Sequence, residues 1–459
     1  MKKLVLSFFT TVLSRLARYW LSSKKPLIIG VTGSVGKTSC RVIVADVLRK
    51  LLPQEVVYTS PKNFNSEIGL SLSILWINHF KPTFDWVVTV FFESLWTVLI
   101  WSHKPSIIVL EYGIDTPGDM ARLLSIAVPD IALLTTIDMV HGANFPNGKD
   151  DIEWEKIQLL KAAKDILFFN PSTLSKPNDL IDTKKTVITY SDKPWEWTIS
   201  FSDYQLSITK NIVWSSFIYH ASGNEALLTV TTTLTWVHNI SYMCIGITIA
   251  DIILHRKSQP SLWTQQAITI PVTLQPWRFT LFVDWSDDIV IDSTYNSSPA
   301  SMRTILQESI NLQQTFFKEY ALVVVLWEMR ELWDISQNEH KELGKRIADH
   351  GIKNVIGVSG DSVYMTDYLI WLRDEKTSIS WVWSNLEAIP AIQNLLQTIK
   401  KQNPSQKCII VFKSSQGEIY LEEAIKSFIS TEQRSILPRQ EPFWINKKQF
   451  SKKLYIQPL

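Results

Sequence analysis

Near the start of the sequence, between an apolar run and a helical pattern, lie Gly33, Ser34, Val35, Gly36, Lys37, Thr38 and Ser39. Glycines at such a turn let successive backbone N–H groups converge, and a helix N-terminus behind them adds its own unpaired donors. Together they cradle phosphate oxygens. Lys37 is placed to reach the outer phosphates of a nucleotide, and the Thr38 hydroxyl is a hard oxygen ligand for Mg2+. A strand over 27–31 and an amphipathic helix over 38–50 supply the context, so the segment predicts ATP binding. From Gly33 the loop is two residues shorter than the usual G-x-x-x-x-G-K-[ST] spacing, and from Gly30 it is one longer. A second candidate is Glu111, which ends the apolar run "IIVLE". A carboxylate at the C-terminal end of a strand beside a phosphate loop can also hold Mg2+.

Such residues need rigid elements behind them, and the composition supports these. With 46% hydrophobic and 20% charged residues in 459, the chain is globular and long enough for several domains. A net charge of +2 gives no argument for nucleic acid, and three separated cysteines indicate neither a disulfide framework nor a metal cluster. Leu6, Phe9, Leu13, Leu16 and Trp20 recur at helical spacing with Arg15 and Arg18 between them. They predict an N-terminal amphipathic helix over 1–24, lying on a membrane through residues 1–22 or on the protein's own surface. The run 83–102 is long enough to span a bilayer, but Asp85 and Glu93 favour a hydrophobic helical insert. Alternating Thr, Ser, Val and Ile over 186–240 predict an antiparallel patch attached to the central sheet.

The segment "TGSVGKT" resembles the ATP loop of the Mur ligase family, which joins amino acids or dipeptides to the peptidoglycan precursor. "SPKNFNSEIG" resembles the T-x-x-N-x-N-N-E-I-G stretch of the D-alanyl-D-alanine-adding branch. Asn63, Asn65 and Glu67 match, Ser60 and Ser66 depart, and the resemblance implies contact with substrate and γ-phosphate. Glu111 and Gly113 match the family's E-x-G, and His141 stands where the family has a histidine that helps bind a second metal ion. In "DIEWEKIQLLK" the resemblance singles out Lys156, with Lys161 a poorer candidate, as the lysine that CO2 carbamylates to an Mg2+-binding anion. Taken alone, Lys156 reads as a helix-surface lysine.

The resemblance continues through the second half. His238 and Asn239 match G-x-H-N, implying Asn239 near adenine. The run from Pro276 to Met302 resembles P-G-R, a strand, then D-x-Y-N-x-x-P-x-S-M, implying nucleotide contacts from Arg278, Asp292 and Asn296. "VVVLWEMRELW" resembles the first strand–loop–helix of the family's C-terminal domain. Lys413 fits K-G-S-R-x-x-x-L-E and is implied to hold substrate, although Ser414 and Gln416 depart.

Trp236, Trp277, Trp327 and Trp333 occupy glycine positions of these motifs, and Trp285 sits at a turn. Glycine is rare, 15 of 459, and adding the 19 tryptophans restores an ordinary glycine share of ~7%. Tryptophan is a poor choice where φ > 0. UGA codons read as tryptophan in place of glycine would give this pattern; the alternative is a Trp-rich variant with altered loops. TGG codons at 277, 327 and 333 would exclude the first reading.

The expected architecture is α/β: a helix over 1–24, a central P-loop nucleotide-binding domain with a mostly parallel sheet over 25–276, and a smaller Rossmann-like α/β domain over 277–459. The resemblance implies a cytoplasmic, monomeric ligase using ATP and Mg2+, with Lys37, His141 and Lys156 catalytic and Thr38, Glu111, His141 and Lys156 at the metals. Its substrates would be a UDP-muramoyl-peptide and D-alanyl-D-alanine. The family's UDP-gripping N-terminal domain has no counterpart ahead of the loop. A ligase for a folate, polyglutamate or lipid-linked acceptor, and a non-catalytic ATP-binding scaffold, are the alternatives.

Overall fold

A computed structural model describes residues 2–456 apart from 62–63, 80–83, 100–104, 138–144, 147, 182–183, 192–197, 210, 222–226, 273, 275–278, 285–286, 295–296, 331, 373–376 and 416–419. Backbone proximity divides the chain into two compact units, Met1–Tyr204 with Ser215–Thr273, and Gln205–Trp214 with Leu274–Leu459.

The first unit is built on a six-stranded sheet of β1 (Leu27–Thr32), β2 (Val57–Thr59), β3 (Ile107–Glu111), β4 (Ile131–Leu134), β5 (Ile166–Phe169) and β6 (Thr186–Thr189). Their order is β2-β3-β1-β4-β5-β6, and every pairing is parallel. β1, β3 and β4 are apolar and almost wholly buried, as strands covered on both faces must be. The helices are α1 (Lys2–Lys24), α2 (Lys37–Leu51), α3 (Glu67–Ile74), α4 (Phe84–Leu99), α5 (Asp119–Ile126), α6 (Lys149–Ala162), α7 (Asn178–Ile181) and α8 (Val237–Arg256). α2 packs along α8. Among the described residues α8 alone is long and apolar enough to cross a membrane; 78% of that window is buried, which marks it as a core helix.

The antiparallel patch expected over 186–240 is organised differently. β6 joins the parallel sheet, and β7 (Ile199–Thr209), β8 (Ile212–Ala221), β9 (Leu228–Thr232) and β10 (Ala267–Ile270) form a separate sheet in the order β10-β9-β8-β7. β8 and β9 are antiparallel, whereas β9 and β10 are parallel because all of α8 intervenes as a crossover.

α1 lies on the protein's own core, not free for insertion. Phe9, Leu13, Ala17 and Trp20 are buried in one apolar cluster with Leu70, Trp86, Val90 and Met120. Within the hydrophobic run 83–102, Phe84–Leu99 is helical as α4.

The second unit carries a six-stranded sheet of β11 (Thr280–Val283), β12 (Ile289–Ser293), β13 (Ala321–Trp327), β14 (Asn354–Val358), β15 (Ser378–Val382) and β16 (Cys408–Lys413), ordered β11-β12-β16-β13-β14-β15. Only β11 runs antiparallel. Its main helices are α9 (Pro299–Phe316), α10 (Ser336–Asp349), α11 (Ser362–Trp371) and α12 (Asn385–Gln402).

The backbone reason offered for glycine at the tryptophan positions does not hold where it can be seen. Trp236 precedes α8 with φ −111° and Trp327 ends a strand; both rings are buried. Positive φ occurs instead at Trp76, φ 63°. Trp277, Trp285 and the Trp333 side chain lie outside the described residues.

Candidate active site

The phosphate loop follows β1 directly, and two of its glycines are obligatory. Gly33 has φ 145° and Gly36 φ 88°. A Cβ at Gly33 would overlap the Thr135 hydroxyl, and one at Gly36 would overlap the Tyr242 hydroxyl on α8. The loop is tied to the end of β4: the Ser34 amide donates to the Thr136 carbonyl (2.7 Å), and the Thr135 hydroxyl donates to the Val35 carbonyl (2.7 Å). α2 starts after Gly36 with no side-chain cap, so its first amides are the anion-binding donors of a helix N-terminus. Lys37 Nζ donates back to the carbonyls of Gly33 (2.8 Å) and Ser34 (3.3 Å), over the space between them.

Glu111, at the end of β3, is 4% exposed and receives three side chains. Thr38 Oγ1 and Asn65 Nδ2 donate to its Oε1 at 3.3 and 3.4 Å, and Arg41 Nε to its Oε2 at 3.3 Å. Parallel register of β1 and β3 brings Glu111 beside Val31, one turn from the loop. Asn65 also accepts the Gly113 amide at 2.9 Å, and a Cβ at Gly113 would press on Asn65 at 2.8 Å. The family's E-x-G thus has a mechanical reason here: the glycine admits the asparagine that touches the glutamate.

Arg41 was not singled out from the sequence. It is 1% exposed, and its second nitrogen donates to Thr59 Oγ1 (2.6 Å) and to the Ser60 carbonyl. The available signal was a charged residue among Cys40, Val44, Ala45 and Leu48 on the apolar face of α2, where only a buried partner accounts for a guanidinium.

Lys156 is not the surface lysine its local sequence suggested. It is 3% exposed on α6, and its Nζ donates to the Gly33 carbonyl at 3.0 Å, the same oxygen that Lys37 uses. α6 is turned this way by its acids: Glu155 accepts the Met120 amide (2.9 Å) and Glu153 accepts from the Ser175 amide and hydroxyl (2.8 Å each). Burial, and then the neighbouring Lys37 charge, lower the Lys156 pKa from 10.5 to about 7. Much of it is then a neutral, nucleophilic amine near neutral pH. Lys161 is exposed on the same helix.

Asn239, in the first turn of α8, is 2% exposed, and its Oδ1 has no hydrogen-bond partner among the described residues. A buried acceptor left open in this way suits a ligand donor. Tyr242 of the same helix touches the loop at Gly36. Glu67 opens α3, where a carboxylate favours the helix N-terminus irrespective of substrate. Val35 is exposed, while Ser34 and Ser39 are half-buried around the loop.

In the second unit, Asp292 is the last residue but one of β12, and Lys413 ends the adjacent strand β16. Lys413 Nζ donates to Ser293 Oγ (3.2 Å) and to the Ser293 carbonyl (3.3 Å). Asp292 Oδ1 accepts from the Thr294 hydroxyl (2.7 Å) and amide (3.0 Å), and its Oδ2 has no partner among the described residues. Burial raises the Asp292 pKa from 3.8 to about 6. Asn63, His141, Arg278 and Asn296 lie outside the described residues. Among the described residues, no three His, Cys, Asp or Glu side chains cluster as a metal site.

A strand-flanked phosphate loop, a buried glutamate at the neighbouring strand end and a buried lysine on the loop carbonyl agree with the family comparison, in which residues 31–250 match the family described as Mur ligase middle domain. This region is a Mur ligase middle domain. The chain is 25% identical over 425 residues to the UDP-N-acetylmuramoyl-tripeptide–D-alanyl-D-alanine ligase of Bacillus subtilis, covering 92% of this chain and 80% of that protein. It superposes on MurF from Acinetobacter baumannii with TM-score 0.65 and 19% identity, covering 91% of this chain and 80% of that one. MurF ligase from Thermotoga maritima, solved in complex with ADP, gives TM-score 0.64 and 21% identity, with 91% of this chain and 83% of that chain covered. The loop, Glu111, Lys156 and Asn239 lie within the matched residues; the two solved structures extend the common fold over the second unit.

Proposed function

We propose that this protein is an ATP-dependent amide-bond ligase that adds D-alanyl-D-alanine to a UDP-muramoyl-tripeptide in peptidoglycan precursor synthesis. The observation that carries the reading is the convergence of Lys37 and Lys156 on one carbonyl of the phosphate loop, beside the Thr38–Glu111 contact. A nucleotide-binding scaffold needs the loop and Lys37. It has no use for a second, buried lysine held near neutrality.

In the proposed reaction a carboxylate oxygen of the tripeptide attacks the γ-phosphorus, the bond to the β–γ bridging oxygen breaks, and ADP leaves. The dipeptide amine then attacks the acyl carbon, phosphate departs with the bonding pair, and the amine loses its proton. Lys37 and the first amides of α2 stabilise the charge that develops on the transferred phosphoryl group. Asn239 offers its open acceptor to the adenine amino group, and Asp292, Lys413, Arg278 and Asn296 serve nucleotide and substrate. Asn65, with Asn63 and Glu67, faces the acceptor side.

The donor set fits Mg2+: a hydroxyl and a carboxylate 3.3 Å apart are hard oxygen ligands at one point. When bound by Thr38, Glu111, His141 and the carbamate of Lys156, the metal would neutralise phosphate charge. Arg41 now occupies one oxygen of Glu111, so the carboxylate is already charge-compensated before a metal arrives. The neutral amine of Lys156 is the form that CO2 converts to a carbamate. This reading places the protein in the cytoplasm, where its nucleotide substrates are.

The test is ATP-dependent phosphate release with UDP-muramoyl-tripeptide and D-alanyl-D-alanine supplied together, singly and not at all. Release requiring both is expected, with loss on CO2 depletion and in Lys156→Ala. Release with neither substrate would reduce the protein to an ATPase module.

A further inference from the structure

We propose that the outer face formed by α1 and α4 binds the surface of an anionic phospholipid bilayer. The two helices pack against each other, with the Phe9 and Trp86 rings 5.6 Å apart edge to face, and both bury one side in the same core cluster. Their other sides therefore point away from that core. On α4 the buried positions are Trp86, Val90, Ser94 and Thr97, while Val88, Phe92, Trp96 and Leu99 are 41%, 64%, 60% and 74% exposed. Spacings of four, four and three residues put these on one helix face. A continuous aromatic and aliphatic stripe on an outward helix is not what water selects.

The neighbouring charge identifies the occupant. α1 contains Lys2, Lys3, Arg15, Arg18 and Lys24 and no acidic residue. Arg15 and Arg18 are exposed, as are Phe8 (73%) and Tyr19 (61%). The one acid among the described side chains of α4, Glu93, is paired with His79 at 3.3 Å. An apolar stripe beside an all-basic helix matches a bilayer interface, where side chains enter the acyl boundary and cations meet lipid phosphates. A groove of about 570 Å3 between α4 and residues 75–79, lined by Trp76, Phe92 and Trp96, adds two indoles, amphipathic rings that favour the headgroup level. The sequence pattern placed the apolar contact on α1. The structure spends that face on the core and moves the contact to α4.

The assay is co-sedimentation of the full chain, without substrates, with phosphatidylcholine vesicles containing about one third phosphatidylglycerol and with phosphatidylcholine alone. Salt-sensitive binding to the anionic vesicles is expected. It should weaken on the order of tenfold or more in Phe92→Ser/Leu99→Ser and in Arg15→Gln/Arg18→Gln. Neither pair touches the loop, so thermal melting and phosphate release should match the unmodified chain; both pairs avoid tryptophan, so the coding question does not enter. Equal sedimentation with and without anionic lipid would overturn the proposal. So would full vesicle binding by the Phe92/Leu99 variant, or self-association that this variant abolishes, which would give the stripe to a second copy. Binding of lipid is read without turnover and stands or falls apart from the ligase reading.

Discussion

Asp292 and Lys156 are buried ionisable groups displaced in opposite senses, and the acid gives the cleaner prediction. With its pKa raised from 3.8 to about 6, Asp292 holds a proton in the folded protein that the unfolded chain has released. Between those values the native state binds more protons, so stability falls as pH rises, and the full penalty stands above pH 6. Asp292→Asn keeps an acceptor for Thr294 and removes the charge. It should stabilise the second unit by about 3 kcal/mol at pH 7 and change stability little near pH 4, measured by denaturant melts at both. ATP-dependent turnover should fall if the carboxylate contacts nucleotide. Arg41 predicts the reverse: Arg41→Ala leaves Glu111 buried beside no cation and should cost about 3–5 kcal/mol. Short motifs singled out the loop residues and Glu111, and only the family resemblance singled out Lys156, whose burial its local sequence does not announce. It missed Arg41, whose partners Glu111, Thr59 and Ser60 are distant in the chain and meet only through the pairing of β2, β3 and β1.

At the scale of elements, the end of α3 shows what glycine would do. The Ile77 amide bonds to the Leu72 carbonyl (2.9 Å) and the Trp76 amide to Ser73 (3.2 Å), the paired bonds of a helix stop whose first residue beyond the cap is left-handed. Trp76 fills that place with its ring stacked on Tyr58, 4.8 Å away. Trp76→Gly and Trp76→Ala both lose the stacking, so their difference isolates the backbone. Glycine should be the more stable by about 1 kcal/mol. At Trp327, the last residue of β13, the backbone is extended and the order should invert, with alanine ahead by roughly 0.5–1 kcal/mol. Equal values at both sites would remove the backbone argument for glycine. The buried Trp327 Nε1 has no partner among the described residues, a separate cost of placing an indole there. The parallel sheet and its helices were legible from continuous apolar runs alternating with amphipathic ones. The position of β10 was not, because nothing in its four residues records that α8 separates it from β9.

For the molecule as a whole, two compact units predict heat unfolding that is not two-state. On the proposed function, nucleotide binds the folded loop and not the unfolded chain. At a hundredfold excess over Kd, ATP with Mg2+ should stabilise the transition of the first unit by about 2.7 kcal/mol, read by calorimetry. Lys37→Met should abolish that shift without moving the transition of the ligand-free protein by more than a degree or two. A shift of equal size in the variant would place the nucleotide elsewhere.

The burial of α1 also sets a timetable. Its apolar face waits for partners in α3, α4 and α5, the last ending at Ile126, about a hundred residues after Trp20. At 5–20 residues per second, synthesis leaves that basic, oily segment bare for roughly 5–20 s. For that interval the nascent chain presents what its folded form conceals, so chaperones and membrane-targeting factors meet a different molecule from the one substrates meet.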